Sequence, residues 1–242
     1  MKNYTRCFFY FLLFQLNLTF FVPSFARINE SLDPQQQSLV IISAHTAIGN
    51  LQELKIALNE GLESGLTINE IKEALVHLYA YCGFPRSIRG LQTFMEVLEE
   101  RNSKGKVDPI GRQANAIDQT ASKYTRGKKV LETLTNTPQP ETLSGYGAFA
   151  PVMDTFLKEH LFADIFERDI LTYAQRELVT ISVLSALGGV EPMLRSHFSI
   201  SLHVGFNPDQ LNHFIGIIQG TLGSEKAGRA QVVLREVLNN KR

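Results

Sequence analysis

The feature that most constrains this chain is that it says the same thing twice. Ser38-Leu-Val-Ile-Ile-Ser43, followed by Ile48-Gly49, aligns with Glu177-Leu-Val-Thr-Ile-Ser182, followed by Leu187-Gly188. Further on, Thr67-Ile-Asn-Glu70 aligns with Asn207-Pro-Asp-Gln210, with about one inserted residue between the features. Internal repetition of this kind marks a structural unit that buries its apolar face against a neighbour. Each copy reads as a helix, a glycine break, a second helix ending near Gly65 or Gly205, a capped third helix, and a turn at Gly83 or Gly223. A fourth helix follows, Ser87 to Glu100 or Lys226 to Leu238.

The local signals support helices throughout. Thr67 and Glu70 form a capping box, in which hydroxyl and carboxylate satisfy each other's orphan amides. Ile71, Leu75, Leu78 and Cys82 recur behind it at helical spacing, until Gly83 and Pro85 stop the run. Period-2 alternation backed by hairpin signals is missing. The expected fold is therefore all-α, a duplicated helical unit packed as an intrachain pseudo-dimer with one core across the pseudo-twofold. The expected boundaries are 27–100 for the first copy and 148–242 for the second. Between them, 101–147 is polar, with a short helix expected near Ala114 to Leu134 and a loop around Pro138 and Pro140.

Residues 1–26 read as a secretory signal: Lys2 and Arg6, a run rich in Phe and Leu, then Pro23, Ser24 and Ala26 spaced as a cleavage site. The other reading, an uncleaved anchor, is opposed by Gln15, Asn17 and Thr19 inside the run, since a span needs about 20 mostly apolar residues. Cleavage after Ala26 would give an exported protein, periplasmic or secreted, with no membrane association afterwards. It would remove Cys7 and leave Cys82 alone of the 2 cysteines, excluding an internal disulfide. The chain has 24 basic and 24 acidic residues, and loss of Lys2 and Arg6 tips it slightly acidic, so nucleic acid is not an expected partner. With no Cys-x-x-Cys pair and no Cys/His cluster at zinc spacing, neither a thioredoxin-like exchange centre nor a structural metal site is expected.

Several side chains are candidates for chemistry. Glu177 follows the capping box Thr172-x-x-Gln175 and stands at the edge of an apolar face, where desolvation suits a general acid or base; a first-turn acid favoured by the helix dipole is the plainer reading. Arg195 and His197, two apart on one helix, point about 200° from one another and cannot share a small pocket. Arg195 offers a fork for a carboxylate and His197 a proton carrier, against a surface ion pair and a hydrogen-bonded core imidazole. Glu73, His77 and Tyr81 form one polar stripe, either a solvated face or a pocket wall completed by the second copy. Cys82 falls on the apolar side and reads as a small core residue with a raised pKa.

Leu161-Phe-Ala-Asp-Ile-Phe-Glu-Arg168, Arg176-Glu-Leu-Val-Thr-Ile-Ser-Val-Leu-Ser-Ala-Leu-Gly188, Leu194-Arg-Ser-His197 and the stretch Glu70 to Pro85 together resemble the carboxymuconolactone decarboxylase family, which includes the AhpD-type alkylhydroperoxidases. The resemblance runs through both copies. Its peroxidase branch carries a Cys-x-x-Cys pair between the glutamate and the histidine, where this chain has Gly188-Gly-Val-Glu-Pro192. The resemblance thus implies cofactor-free acid/base work on a small, anionic carboxylate or lactone, with Glu177 and His197 catalytic and Arg195 holding the anionic group; the capped helix of the first copy is expected to add Tyr81, Cys82 and His77 as the wall around the substrate. It also implies a homo-oligomer. The first copy has Ser38 and Ala57 in place of the acid and the base, so one hybrid site is expected. Two other readings stand: peroxide reduction through Cys82 alone, and a binding module without catalysis.

Overall fold

The computed structural model describes residues 31–240; the signal sequence expected over 1–26 lies outside them. Ten α-helices and one π-helix make up the regular structure of these residues, with no strand among them. The first copy comprises α1 (Pro34–Ile48), α2 (Leu51–Glu63) and α3 (Ile68–Ser103); the second comprises α7 (Tyr173–Leu187), α8 (Glu191–His203), α9 (Pro208–Leu222) and α10 (Ser224–Asn239).

The repeat is built from the same local devices. Capping boxes start α1 (Asp33 with Gln36), α3 (Thr67 with Glu70), α7 (Thr172 with Gln175) and α9 (Asn207 with Gln210), so each copy opens its first and third helices alike. The third-to-fourth turn is also shared. Gly83 interrupts α3 at φ 80°, ψ 161°, and Gly223 separates α9 from α10 at φ 88°, ψ 167°. That conformation is open to glycine and strained for other residues. The fourth helix of the first copy is thus the distal half of α3, and it runs to Ser103.

The copies interlock. α1 packs on α7, and the reciprocal pairs α1 with α9 and α7 with α3 cross the boundary as a pseudo-twofold requires. Leu39, Ile42, Leu75 and Leu78 share one continuous core with Leu178, Ile181, Phe198 and Phe214. Each large apolar side chain withdrawn from water there contributes about 1.5–3 kcal/mol, and neither copy could bury these faces alone.

The connecting segment differs from expectation. Its helix, α4, spans Lys123–Thr135 and not Ala114 to Leu134. Before it, the chain runs extended against the start of α3, whose Ile68 and Asn69 amides donate to the carbonyls of Pro109 and Ile110. Those amides belong to the first turn of α3, where no intrahelical partner exists, so Pro109 and Ile110 cap that helix; further on, the Asn115 amide donates to Asp169 and the Thr120 amide to Asp118 before Ser122 caps α4. Arg101, expected to begin the connection, is buried inside α3 and pairs with Asp108 and Glu63. After α4 come two short helices, α5 (Gly145–Phe149) and α6 (Pro151–Thr155), and then the π-helix Phe156–Ile165. The π-helix lies on α4, with the Lys158 carbonyl so close to Gly127 that a Cβ there would stand 1.7 Å from it. Phe162 and Phe166, with Val130 and Leu134, form a second apolar cluster that reaches Tyr79 and Tyr81 of the first copy.

Candidate functional site

Glu177 lies in the second turn of α7, started by the Thr172–Gln175 box, and is wholly buried. His197 stands at mid-length of α8, its side chain 14% exposed, and its Nδ1 is 2.8 Å from Glu177 Oε2. The α7–α8 packing that brings them together follows from the Gly188–Gly189 break, both residues at φ 72°. With Glu177 ionised, the carboxylate accepts from His197 Nδ1–H, which leaves Nε2 as the free base.

The first copy supplies the wall beside this pair. Tyr81 packs edge-on against the His197 ring at 6.1 Å and lies 5.3 Å from His77, centroid to centroid. Burial is the chief cause that pushes the Tyr81 phenol up, and the nearby Glu177 carboxylate adds to it. His77 is fully buried, with Phe166 against its edge. Thr180 gives its one proton to the Arg176 carbonyl (2.9 Å), so its oxygen accepts from His77 Nε2–H at 2.9 Å. His77 Nδ1 then accepts from Arg176 at 3.2 Å. The ring is held neutral, its pKa well below the usual histidine range through burial and then the positive charge of Arg176.

Behind His77 lies an ionic knot. Glu73, 2% exposed, receives Arg176 at 2.7 Å and Arg168 at 3.0 Å. The guanidinium of Arg176 is itself fully buried, lies 5.7 Å from the Phe166 ring centre and donates also to the Arg168 carbonyl. The Glu73–His77–Tyr81 stripe is therefore an interior wall between the copies and not a solvated face. Arg176 stands between Glu73 and His77, in place of the direct pairing at one turn's spacing.

Three buried polar atoms in this cluster have no hydrogen-bond partner: Glu177 Oε1, the Tyr81 hydroxyl and Arg176 Nε. Each such atom costs about 1–3 kcal/mol unless a ligand or water meets it. One acceptor and two donors of the buried cluster thus lack a partner within it.

The structure thus brings Glu177, His197, Tyr81 and His77 together. It does not bring Arg195, which faces away and pairs with Glu236 of α10, both about half-exposed. The 200° divergence of Arg195 and His197 along α8 accounts for this. Cys82 is half-buried against the main core; its thiol donates to the Leu78 carbonyl at 3.2 Å, and burial pushes it up to about 11. Its spacing on α3 puts it on the apolar side while Tyr81 faces the pair. Arg176, Arg168 and Thr180 were not singled out by sequence reasoning as site residues. A charged residue in the first turn of an otherwise apolar helix was the available signal for Arg176, but its partners Glu73 and His77 lie about a hundred residues away. Among the described residues no three metal-ligating side chains gather, and no helix is long and apolar enough to cross a membrane.

Comparison with known proteins adds a family. A model described as the carboxymuconolactone decarboxylase family matches residues 19–99 and again 151–236, one match for each copy. An uncharacterized protein of Methanocaldococcus jannaschii, MJ1511, is 29% identical over 68 residues, which are 28% of this chain and 64% of that protein. The match thus spans less than two thirds of that relative's length.

Proposed function

Because this chain belongs to the carboxymuconolactone decarboxylase family, we propose that it performs cofactor-free acid/base chemistry on a small carboxylate or lactone, by decarboxylation or by proton transfer at a carbon next to a carbonyl. The observation that carries this reading is the contact between the wholly buried Glu177 carboxylate and His197, at 2.8 Å. Glu177 fixes the imidazole with its proton on Nδ1, and Nε2 takes a proton from the substrate or returns one to it. In a decarboxylation the carbon that loses CO₂ keeps the electron pair, and His197, having taken a proton from solvent at Nε2, delivers it to that carbon and returns to the free base. Tyr81, packed against His197, offers its hydroxyl to negative charge that develops on a substrate oxygen. Arg195 has no part in this scheme, since Glu236 occupies it.

Neutral His77 serves as a positioning residue that orders the wall on which Tyr81 stands. Peroxide reduction through Cys82 draws no support from its surroundings: a thiol at about 11 carries little thiolate near neutral pH. The proposal includes export, on the strength of the pattern from Lys2 to Ala26, and N-terminal sequencing of the mature protein tests it.

The test of the chemistry is a panel of small lactones and carboxylates in deuterated buffer, followed by NMR for CO₂ loss or solvent deuterium at carbon. Activity that falls about 100-fold or more in His197→Ala, with an unchanged circular dichroism spectrum, is expected. Full activity in that variant would sink the reading.

A further inference from the structure

The pseudo-twofold carries the Glu177–His197 site onto a second place, and there the chain has a cavity. Thr180, His77 and Tyr81 correspond in the repeat to Ile41, Ile217 and Thr221, and these three residues line an open cavity of about 520 Å³ between α1, α2 and α9. The catalytic pair has no equivalent here, since Ser38 and Ala57 stand at its positions. A different histidine lines the cavity instead: His45, one turn beyond Ile41, only 7% exposed, with its Nδ1 buried and unpartnered. Its counterpart in the second copy is Leu184, so this imidazole belongs to the first copy alone.

The lining has a consistent polarity. Glu53, exposed at the start of α2, offers a carboxylate. Thr221 gives its proton to the Ile217 carbonyl at 2.8 Å, so its oxygen is left as an acceptor. Asn50 caps α2 through its side-chain oxygen, which receives the Glu53 amide. No lysine or arginine lines the cavity, and Ile41 and Ile217 provide apolar walls. Burial holds His45 below the usual histidine range, so the neutral ring leaves Glu53 as the one formal charge.

From this set we propose that the cavity is a second ligand site, selective for a small organic amine whose ammonium group meets Glu53 and Thr221 while its apolar body lies against Ile41 and Ile217. It would be a binding site without chemistry, at the place where the duplication lost its acid and base. It stands independently of the acid/base reading of the other site.

The test is calorimetric titration of the full chain with n-butylammonium chloride, beside n-butyrate and n-butanol, with the histidine ring resonances followed by NMR. Saturable binding of butylammonium with a shift of the His45 signals, assigned through His45→Gln, is expected. Glu53→Gln should weaken it about fivefold, the size of an exposed charge contact. Gly220, which also lines the cavity, has open space where its Cβ would be, so Gly220→Leu should fill the site and abolish binding while favouring the helix. His197→Ala should leave butylammonium binding unchanged, which separates this result from the fate of the other site. Absence of saturable binding, equal binding of butyrate or butanol, or full binding in both Glu53→Gln and Gly220→Leu would overturn the proposal.

Discussion

The two copies keep the same helical scaffold and differ in the polar groups they set at matching positions. In the second copy's half of the boundary, Arg176 of α7 meets Glu73 of α3 in a buried ion pair. At the equivalent positions the other half has Gln37 of α1 and His213 of α9, which hold the Leu32 backbone between them: Gln37 donates to its carbonyl at 2.8 Å, and its amide donates to His213 Nδ1 at 2.9 Å. Glu177 and His197 likewise face Ser38 and Ala57 across the pseudo-twofold. Both halves keep the capping boxes, the glycine turns and the apolar faces. The shared fold goes with those features in both places, whereas the ionic knot and the Glu177–His197 pair occur in one. Burying full charges carries a desolvation cost that neutral hydrogen bonds avoid, so the second half accepts a cost that the first shows to be unnecessary for folding.

The sharpest way to break this comparison is to remove Glu73. Glu73→Ala would leave Arg176 charged and buried without its partner, and urea unfolding should report a loss of about 3–5 kcal/mol. His213→Ala at the equivalent position should lose only about 1 kcal/mol, the value of one hydrogen bond; similar losses would mean that the two halves are energetically alike. In activity, Glu177→Gln should reduce turnover about 100-fold through loss of the carboxylate that orients His197. Ser38→Ala, at the matching position, should leave turnover unchanged.

The buried histidines sharpen it through pH. Folding keeps His77 neutral, while the unfolded chain takes up a proton below about 6.5. Stability from this group is therefore complete above that value and falls as pH drops through it, by up to about 1.4 kcal/mol per pH unit. His77→Gln should flatten the profile between pH 6.5 and 5. His45→Gln should flatten it less, because Glu53 opposes the lowering of the His45 pKa. Arg195→Ala breaks an exposed pair with Glu236; it should change stability by less than about 1 kcal/mol and leave turnover intact. A strong loss of turnover there would return Arg195 to the substrate. The smallest effect is expected at Cys82: with its thiol near 11, alkylation at pH 8 should be slow in the native protein and fast after unfolding.

The chain made the scaffold legible because the scaffold's signals are local. The Thr67–Glu70 and Thr172–Gln175 boxes, the stops at Gly83 and Gly223 and the apolar periodicity all act within a turn or two. The Asp33–Gln36 box was equally local and was missed beside the stronger repeat signal. The π-helix Phe156–Ile165 has no comparable signature, because its register is set by packing on α4, where Gly127 admits the Lys158 carbonyl. The candidate site divides in the same way. Glu177 and His197 could be picked out from the family pattern, and Tyr81 and His77 from their stripe on one helix. Which way Arg195 turns, and that Arg176 joins Glu73 to His77, depends on partners brought together from distant segments.

The sequence by itself determined that this protein is a duplicated all-α unit, because capping, glycine turns and hydrophobic spacing are properties of neighbouring residues that hold wherever the segment lies. Only the tertiary structure decided which copy's polar groups form a buried constellation and which leave a cavity. Burial strips water from a charge, and whether the stripped charge then finds a partner depends on side chains that the fold alone brings within a few ångströms.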